Sequence, residues 1–292
     1  NSQVKYSSIN LVSFSPPSGL VAFPLILAVI FFWFFAARAV LAEARYQNAL
    51  VALSQNDGNK GSSELIAAIN ANPYVDRYHA LSAQLNLAIG RNVSQKKTLD
   101  DNDKNTITQA IQGAIAEGKA TVSLNTGRSQ NWAFLAGVYQ SIMPFAQGAD
   151  TFTIQAYTQA IALDPIDPNL RINLGGIYYA LGRYDDAIAS FQLATLAKPD
   201  LANAHYNLAI AYREKGEIDK AISEMKIVLT LVNKDSKDYE TAKTELDNLE
   251  RRKASKTPTQ SETLKAPQKQ EAPVLNPPLE LPSEAVSPSP TP

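Results

Sequence analysis

The sequence predicts an all-α protein: one transmembrane helix, then a solenoid of helix hairpins, then a disordered Pro-rich tail. Three observations predict it. The run FPLILAVIFFWFF (23–35) is too uniformly apolar for the surface of a soluble domain. Further along, the chain matches itself when shifted by 34 residues. Nine of the seventeen prolines crowd into residues 255–292, beside Ser, Thr, Gln, Lys and Glu. Such a segment cannot bury enough apolar area to offset its chain entropy.

The apolar element comes first. No charged residue occurs from Tyr6 to Ala37, and the dense part, 20–37, gives about 27 Å of helix against a hydrocarbon core of about 30 Å. Val40 and Leu41 complete the span, assigned to residues 20–41, and Pro24 falls in the opening turns, where a helix tolerates it. A signal peptide cleaved near Ala42 or Ala44, with Lys5 as its basic end, satisfies much of the same pattern. A core helix fits less well, because the run has no polar face. Lys5 on one side and Arg38 and Arg45 on the other leave orientation open. The chain opens on Asn1 rather than Met, with residues 1–19 reading as a loop, so it is expected to be a piece of a longer protein.

The repeat defines the region beyond the span. Leu174 meets Leu208, Tyr178 meets Tyr212, Gly182 meets Gly216, Ala187 meets Ala221 and Phe191 meets Met225 at the 34-residue shift. In the other direction Pro199 meets Pro165 and Ala194 meets Ala160. With Gly175 and Tyr184, this set resembles the tetratricopeptide repeat (TPR). The physics agrees: Gly175 and Ala187 are small where two helices cross, and Tyr178, Tyr184 and Phe191 fill the space around them. Gly182 ends a helix in a conformation that resists a Cβ, and Pro199 stops the next helix from running on.

Ala202 to Asn233 reads as a second regular unit, and Asn131 to Pro165 as a third with about five extra residues around Met143 to Asp150. Upstream, 42–130 reads as degenerate hairpins. Arg38 to Ser54, continuing from the span, pairs with GSSELIAAINANP (61–73), and Tyr78 to Ile89 pairs with Asn105 to Leu124. Asp238 to Lys253 is charged, as a helix capping an open solenoid should be. The expected division is thus 42–130, then a solenoid over 131–253 including the cap, then the tail over 254–292.

Chemistry is sparse. Cysteine is absent, which excludes disulfides, thiolate metal sites and cysteine nucleophiles. A net charge of −1 gives no field for nucleic acid. His79 and His205, the two histidines, fall in different hairpins. Asp100, Asp101 and Asp103 read as a solvated turn in the loop GRNVSQKKTLDDNDKN, without the ligand pattern of a calcium loop. No catalytic constellation, metal set or cofactor motif is found, so no enzyme activity is expected of this chain.

The TPR resemblance implies a concave groove lined by the first helices of successive hairpins. Asn173 and Asn207, 34 apart, would face it, with Tyr179, Tyr206 and Arg213 as neighbours. An Asn side chain can donate to and accept from an extended backbone together. The same asparagines can instead simply brace their hairpins. The basic residues of a clamp for acidic C-termini are missing from the matching faces.

The order of elements is similar to something narrower. A span and a degenerate repeat are followed by NPYVDRYHALSAQLNLAIG (72–90), NWAFLAGVYQSIMPF (131–145), PNLRINLGGIYYALGRYDDAI (168–188) and KPDLANAHYNLAIAY (198–212). This looks like the C-terminal end of bacterial O-antigen ligase-like and pilin glycosyltransferase-like polytopic membrane proteins. That resemblance implies a repeat domain outside the cytoplasmic membrane, a protein or peptide partner in its groove, and lipid around 20–41. The family's catalytic arginines and histidine sit between earlier spans absent from this chain, so no catalytic residue carries over. The rival reading is a single-span scaffold for envelope or pilus assembly.

Overall fold

The computed structural model describes residues 18–255 and 279–280. The expected loop lies outside them except at Ser18 and Gly19, which are helical, and so does the tail apart from 254–255 and 279–280. The described residues form eleven helices and one pair of two-residue strands, in two compact units, 1–73 and 74–292.

In the first unit, α1 (Ser18–Ser54) carries the apolar run and continues without a break into a hairpin with α2 (Gly58–Ala71). Small residues set that crossing: Ala49 and Ala52 are buried, and a Cβ on Gly61 would stand 2.6 Å from the Leu53 side chain. Asp57 caps α2 by accepting from the Lys60 N–H at 3.0 Å. At the other end, Arg38 donates to the carbonyls of Ala71 (3.0 Å) and Asn70 (2.8 Å), where a helix has acceptors to spare. Phe23 to Phe35 has no such cover. Phe32 and Trp33 are each about two-thirds exposed. By length and composition α1 can cross a membrane, and a signal sequence has the same properties.

The second unit begins with α3 (Asp76–Ser94) and α4 (Asp101–Leu124), an antiparallel pair. The acidic cluster belongs to a helix start and not, as expected from its composition, to a loop. Asp100 caps α4, accepting from the Asp103 N–H at 2.7 Å, while Asp103 reaches back to the Asp100 N–H, and so α4 starts four residues earlier than expected. Lys96 then donates to Asp103 at 2.6 Å and holds its carboxyl below the ordinary range. The next hairpin is α5 (Ser129–Ile142) and α6 (Ala149–Leu163), with strand β1 (Ala146–Gln147) between them. Its entry is tied down by Asn131, whose amide donates to the Thr121 carbonyl (2.9 Å) and to Asp76 (3.2 Å), and by Arg128, 3.0 Å from Asp76.

Two regular hairpins come next: α7 (Pro168–Ala180) with α8 (Tyr184–Ala197), and α9 (Ala202–Lys215) with α10 (Ile218–Leu231). Pro168 occupies the first turn of α7, where its missing N–H costs nothing, and Asp167 caps it. Gly182 and Gly216 have φ of 73° and 85°. Each closes its helix with the same bond pair: Gly182 N–H to Tyr179 O and Arg183 N–H to Tyr178 O, then Gly216 N–H to Arg213 O and Glu217 N–H to Tyr212 O. The crossing in α7/α8 is as tight as the sequence demands, since a Cβ on Gly175 would meet the Phe191 ring at 2.5 Å. A charged helix, α11 (Lys237–Ala254), closes the stack, with acids in its first turn and bases in its last.

One core joins α4 to the start of α7 through Trp132, Leu135, Tyr139 and Tyr157. A second runs from α8 to α11 through Phe191, Leu208, Met225 and Leu249. Within the stretch expected to be disordered, Leu279–Glu280 form strand β2, parallel to β1.

Candidate peptide-binding groove

The second unit contains an open cavity of about 1050 Å³, lined from three successive hairpins and the α5–α6 connection. Gln140 comes from α5, Gly176, Ile177 and Tyr179 from α7, and Arg213 and Glu214 from α9. Gln140, Tyr179 and Arg213 hold one register position: Tyr179 precedes Arg213 by the 34-residue period, and Gln140 precedes Tyr179 by that period plus the five extra residues. The extra residues supply the rest of the wall, through Met143, Pro144, Ala146, Gln147 and Gly148. A Cβ on Gly176 would meet nothing within 4 Å, so bare helix backbone is open to an incoming ligand there.

The polar groups are held firmly. Arg213 Nε and Nη2 lie 2.8 and 2.6 Å from Glu214, and Nη1 is paired with Glu245 of α11. Burial alone would lower its pKa, but the hydrogen bonds it donates to Glu245 and Glu214 outweigh this and raise it. The guanidinium charge is therefore already offset by two carboxylates. Tyr179 lies beside it, in ring contact with Tyr184 at 5.6 Å, and burial, reinforced by Glu214, pushes its hydroxyl up from the ordinary range. The Tyr157 hydroxyl, in turn, donates to the Gln140 side chain at 3.4 Å.

Of the five residues expected in the groove, Tyr179 and Arg213 line this cavity. Tyr206 sits at the edge of the second core, close enough to Glu245 and Arg213 to feel their charges, with burial as the larger influence raising its pKa. Asn173 and Asn207 are both outside the buried set and neither lines the cavity. The Asn207 amide is spent on its own helix, donating to the Asn203 carbonyl at 2.7 Å and its side-chain oxygen at 2.9 Å. Sequence reasoning missed Gln140, Gly176 and Glu214. Two signals were present: the doubled glycine 175–176, of which only one is needed at the helix crossing, and the register shared by Gln140, Tyr179 and Arg213.

The histidines are structural. His79 lies 2.6 Å from Glu117, and His205 lies 2.7 Å from Glu224 and 3.0 Å from the Pro199 carbonyl; both are buried. Among the described residues, no group of three or more His, Cys, Asp or Glu side chains is placed to hold a metal ion.

Comparison with known proteins places this geometry. Family profiles described as tetratricopeptide repeat match residues 156–189 and 202–235, and one described as TPR repeat matches residues 175–216. A curated relative, a probable UDP-N-acetylglucosamine–peptide N-acetylglucosaminyltransferase SEC of Arabidopsis thaliana, is 37% identical over 59 residues, 20% of this chain. The match spans about 6% of that protein's length. Among solved structures, a tetratricopeptide repeat protein from Parabacteroides merdae superposes with TM-score 0.52 at 17% identity, over 73% of this chain and 75% of its own. The MamA protein superposes with TM-score 0.51 at 20% identity, over 66% of this chain and 93% of its own. Residues 156–235 are tetratricopeptide repeats, and the chain folds as a TPR-type α-solenoid.

Proposed function

We propose that this chain is a membrane-tethered TPR module that holds an extended segment of a protein partner in the cavity formed by α5, α7 and α9. The cavity carries the proposal: three first helices present one register position to a single opening, beside bare backbone at Gly176. Met143 and Ile177 offer apolar contact, while Gln140 and Tyr179 offer hydrogen bonds. The balance of charge is negative, with Arg213 set against Asp150 and Glu214 and with Glu245 behind. That balance favours a neutral or basic segment over an acidic C-terminus. The uncovered run Phe23 to Phe35 supports lipid as the cover for α1.

We further propose that the module is the C-terminal part of an O-antigen ligase-like protein of a bacterial cytoplasmic membrane, with the repeats outside. The order of span and hairpins supports it. The repeats would then present an acceptor protein at the bilayer where a lipid-linked glycan is held.

Right-side-out vesicles test both halves. A photo-crosslinking residue in place of Tyr179, in the full-length gene product, should capture a discrete protein, while one in place of Lys226 on α10 should not. Equal labelling at both positions defeats the groove reading. External protease should digest the repeats. Protection until the vesicles are broken defeats the extracytoplasmic placement and with it the ligase role.

A further inference from the structure

The insertion between α5 and α6 leaves an extended backbone edge on the cavity wall at Ala146 and Gln147. An unpaired strand edge presents N–H and C=O groups to any extended chain. In this structure the edge is taken: Leu279–Glu280 pair with it in parallel, Leu279 opposite Ala146 and Glu280 opposite Gln147. We infer that the groove is a strand-addition site whose resident ligand is the chain's own C-terminal segment around Leu279–Glu280.

Three physical points support it. Pro277 and Pro278 precede the strand and Pro282 stands just beyond it. Proline fixes φ and biases the residue before it toward extended backbone, so the segment loses little freedom on pairing. Second, Leu279 lies 24 residues beyond Ser255. A chain of that length reaches at most about 80 Å. Few helix layers, each about 8–10 Å across, separate the end of α11 from the insertion. The segment can therefore reach the edge within one chain. Third, the regular hairpins offer no equivalent edge, because Gly182 and Gly216 turn their chains within the closing bonds of α7 and α9. The tail thus shares a wall with the proposed partner site, and a partner that adds a strand at Ala146–Gln147 must first displace it. The inference goes beyond the partner reading and stands whether or not an external ligand is found.

The absence of cysteine makes the test clean. Gln147 is exposed, and the paired residues of a two-strand ladder lie within disulfide reach. In the full chain in mild detergent, the double variant Gln147→Cys/Glu280→Cys should oxidise to one intramolecular disulfide at least tenfold faster than Gln147→Cys/Glu271→Cys or Gln147→Cys/Ser289→Cys. Those controls shift the tail cysteine nine residues either way. Equal rates in all three mean random collision and overturn the proposal. A disulfide-linked dimer as the main product assigns the strand to a second copy and overturns the intramolecular claim.

Discussion

The α7/α8 and α5/α6 hairpins share one repeat pattern and turn their chains in different ways. Three residues, 181–183, connect α7 to α8, with Gly182 in the left-handed region supporting two closing bonds. Six residues, 143–148, connect α5 to α6, and they include an extended strand. Both hairpins bury an equivalent core, with Leu135 and Tyr157 in one and Leu174 and Phe191 in the other. The crossing is therefore fixed by the inward faces, and the connection is free to vary. Where the connection is short, the turn satisfies its own backbone. Where it is long, backbone is left to pair with something else. The inward faces set the crossing and the connection sets what its backbone pairs with, and substitutions should separate the two.

The largest effect should come from Phe191→Ala, which empties the closest-packed part of the α7/α8 crossing. Loss of a buried aromatic costs about 3–5 kcal/mol. Gln147→Ala on the exposed connection should stay within about 0.5 kcal/mol. Urea titration tracked by circular dichroism compares the two, and similar midpoints would mean that the core does not set the crossing. Next come the neighbouring glycines. Gly175→Ala puts a methyl within 2.7 Å of two Phe191 ring carbons, and overpacking of this kind costs about 1–3 kcal/mol. Gly176→Ala meets open space, and exchanging Gly for Ala inside a helix stabilises by about 0.5–1 kcal/mol. Opposite signs in the same titration would establish that packing requires a glycine at 175 and not at 176. Gly216→Ala, at φ 85°, should lose about 1–2 kcal/mol.

How much of this was legible depends on the kind of signal. Tyr178, Gly182, Ala187 and Phe191 announced the regular hairpins because each answers a local demand that recurs at a fixed interval. The first two hairpins were legible through apolar spacing, but the start of α4 was not, since Asp100 and Asp103 form a reciprocal cap that has the composition of a charged turn. Tyr179 and Arg213 reach the cavity because they share its register, whereas Asn173 and Asn207 stand on a part of the same helices that the cavity does not include. The pairing of Leu279–Glu280 with Ala146–Gln147 spans 133 residues, and no periodicity connects such distant segments.

The smallest expected effect concerns the forces that hold the irregular half together. Where α7/α8 and α9/α10 rely on glycine turns, α3, α4 and α5 are joined by Asp76, Arg128 and Asn131. Burial works to raise the Asp76 pKa, but the hydrogen bond from Asn131, the backbone of Arg77 and the charge of Arg128 together bring it below the ordinary value. A carboxyl depressed in the folded state contributes stability that is present above its unfolded pKa of about 3.9 and is lost as pH falls through the lower folded value. Asp76 keeps about a fifth of its side chain in water, so screening holds the contribution to under about 1 kcal/mol. Urea midpoints measured from pH 6 to pH 3 should therefore fall slightly less in Asp76→Asn than in the parent chain, with the difference confined to the region below about pH 4. Curves that run parallel across the whole range would mean that titration of the Asp76 carboxyl contributes nothing to the junction. The α3–α5 junction would then be held by the Asn131 amide and its carbonyl partner on Thr121.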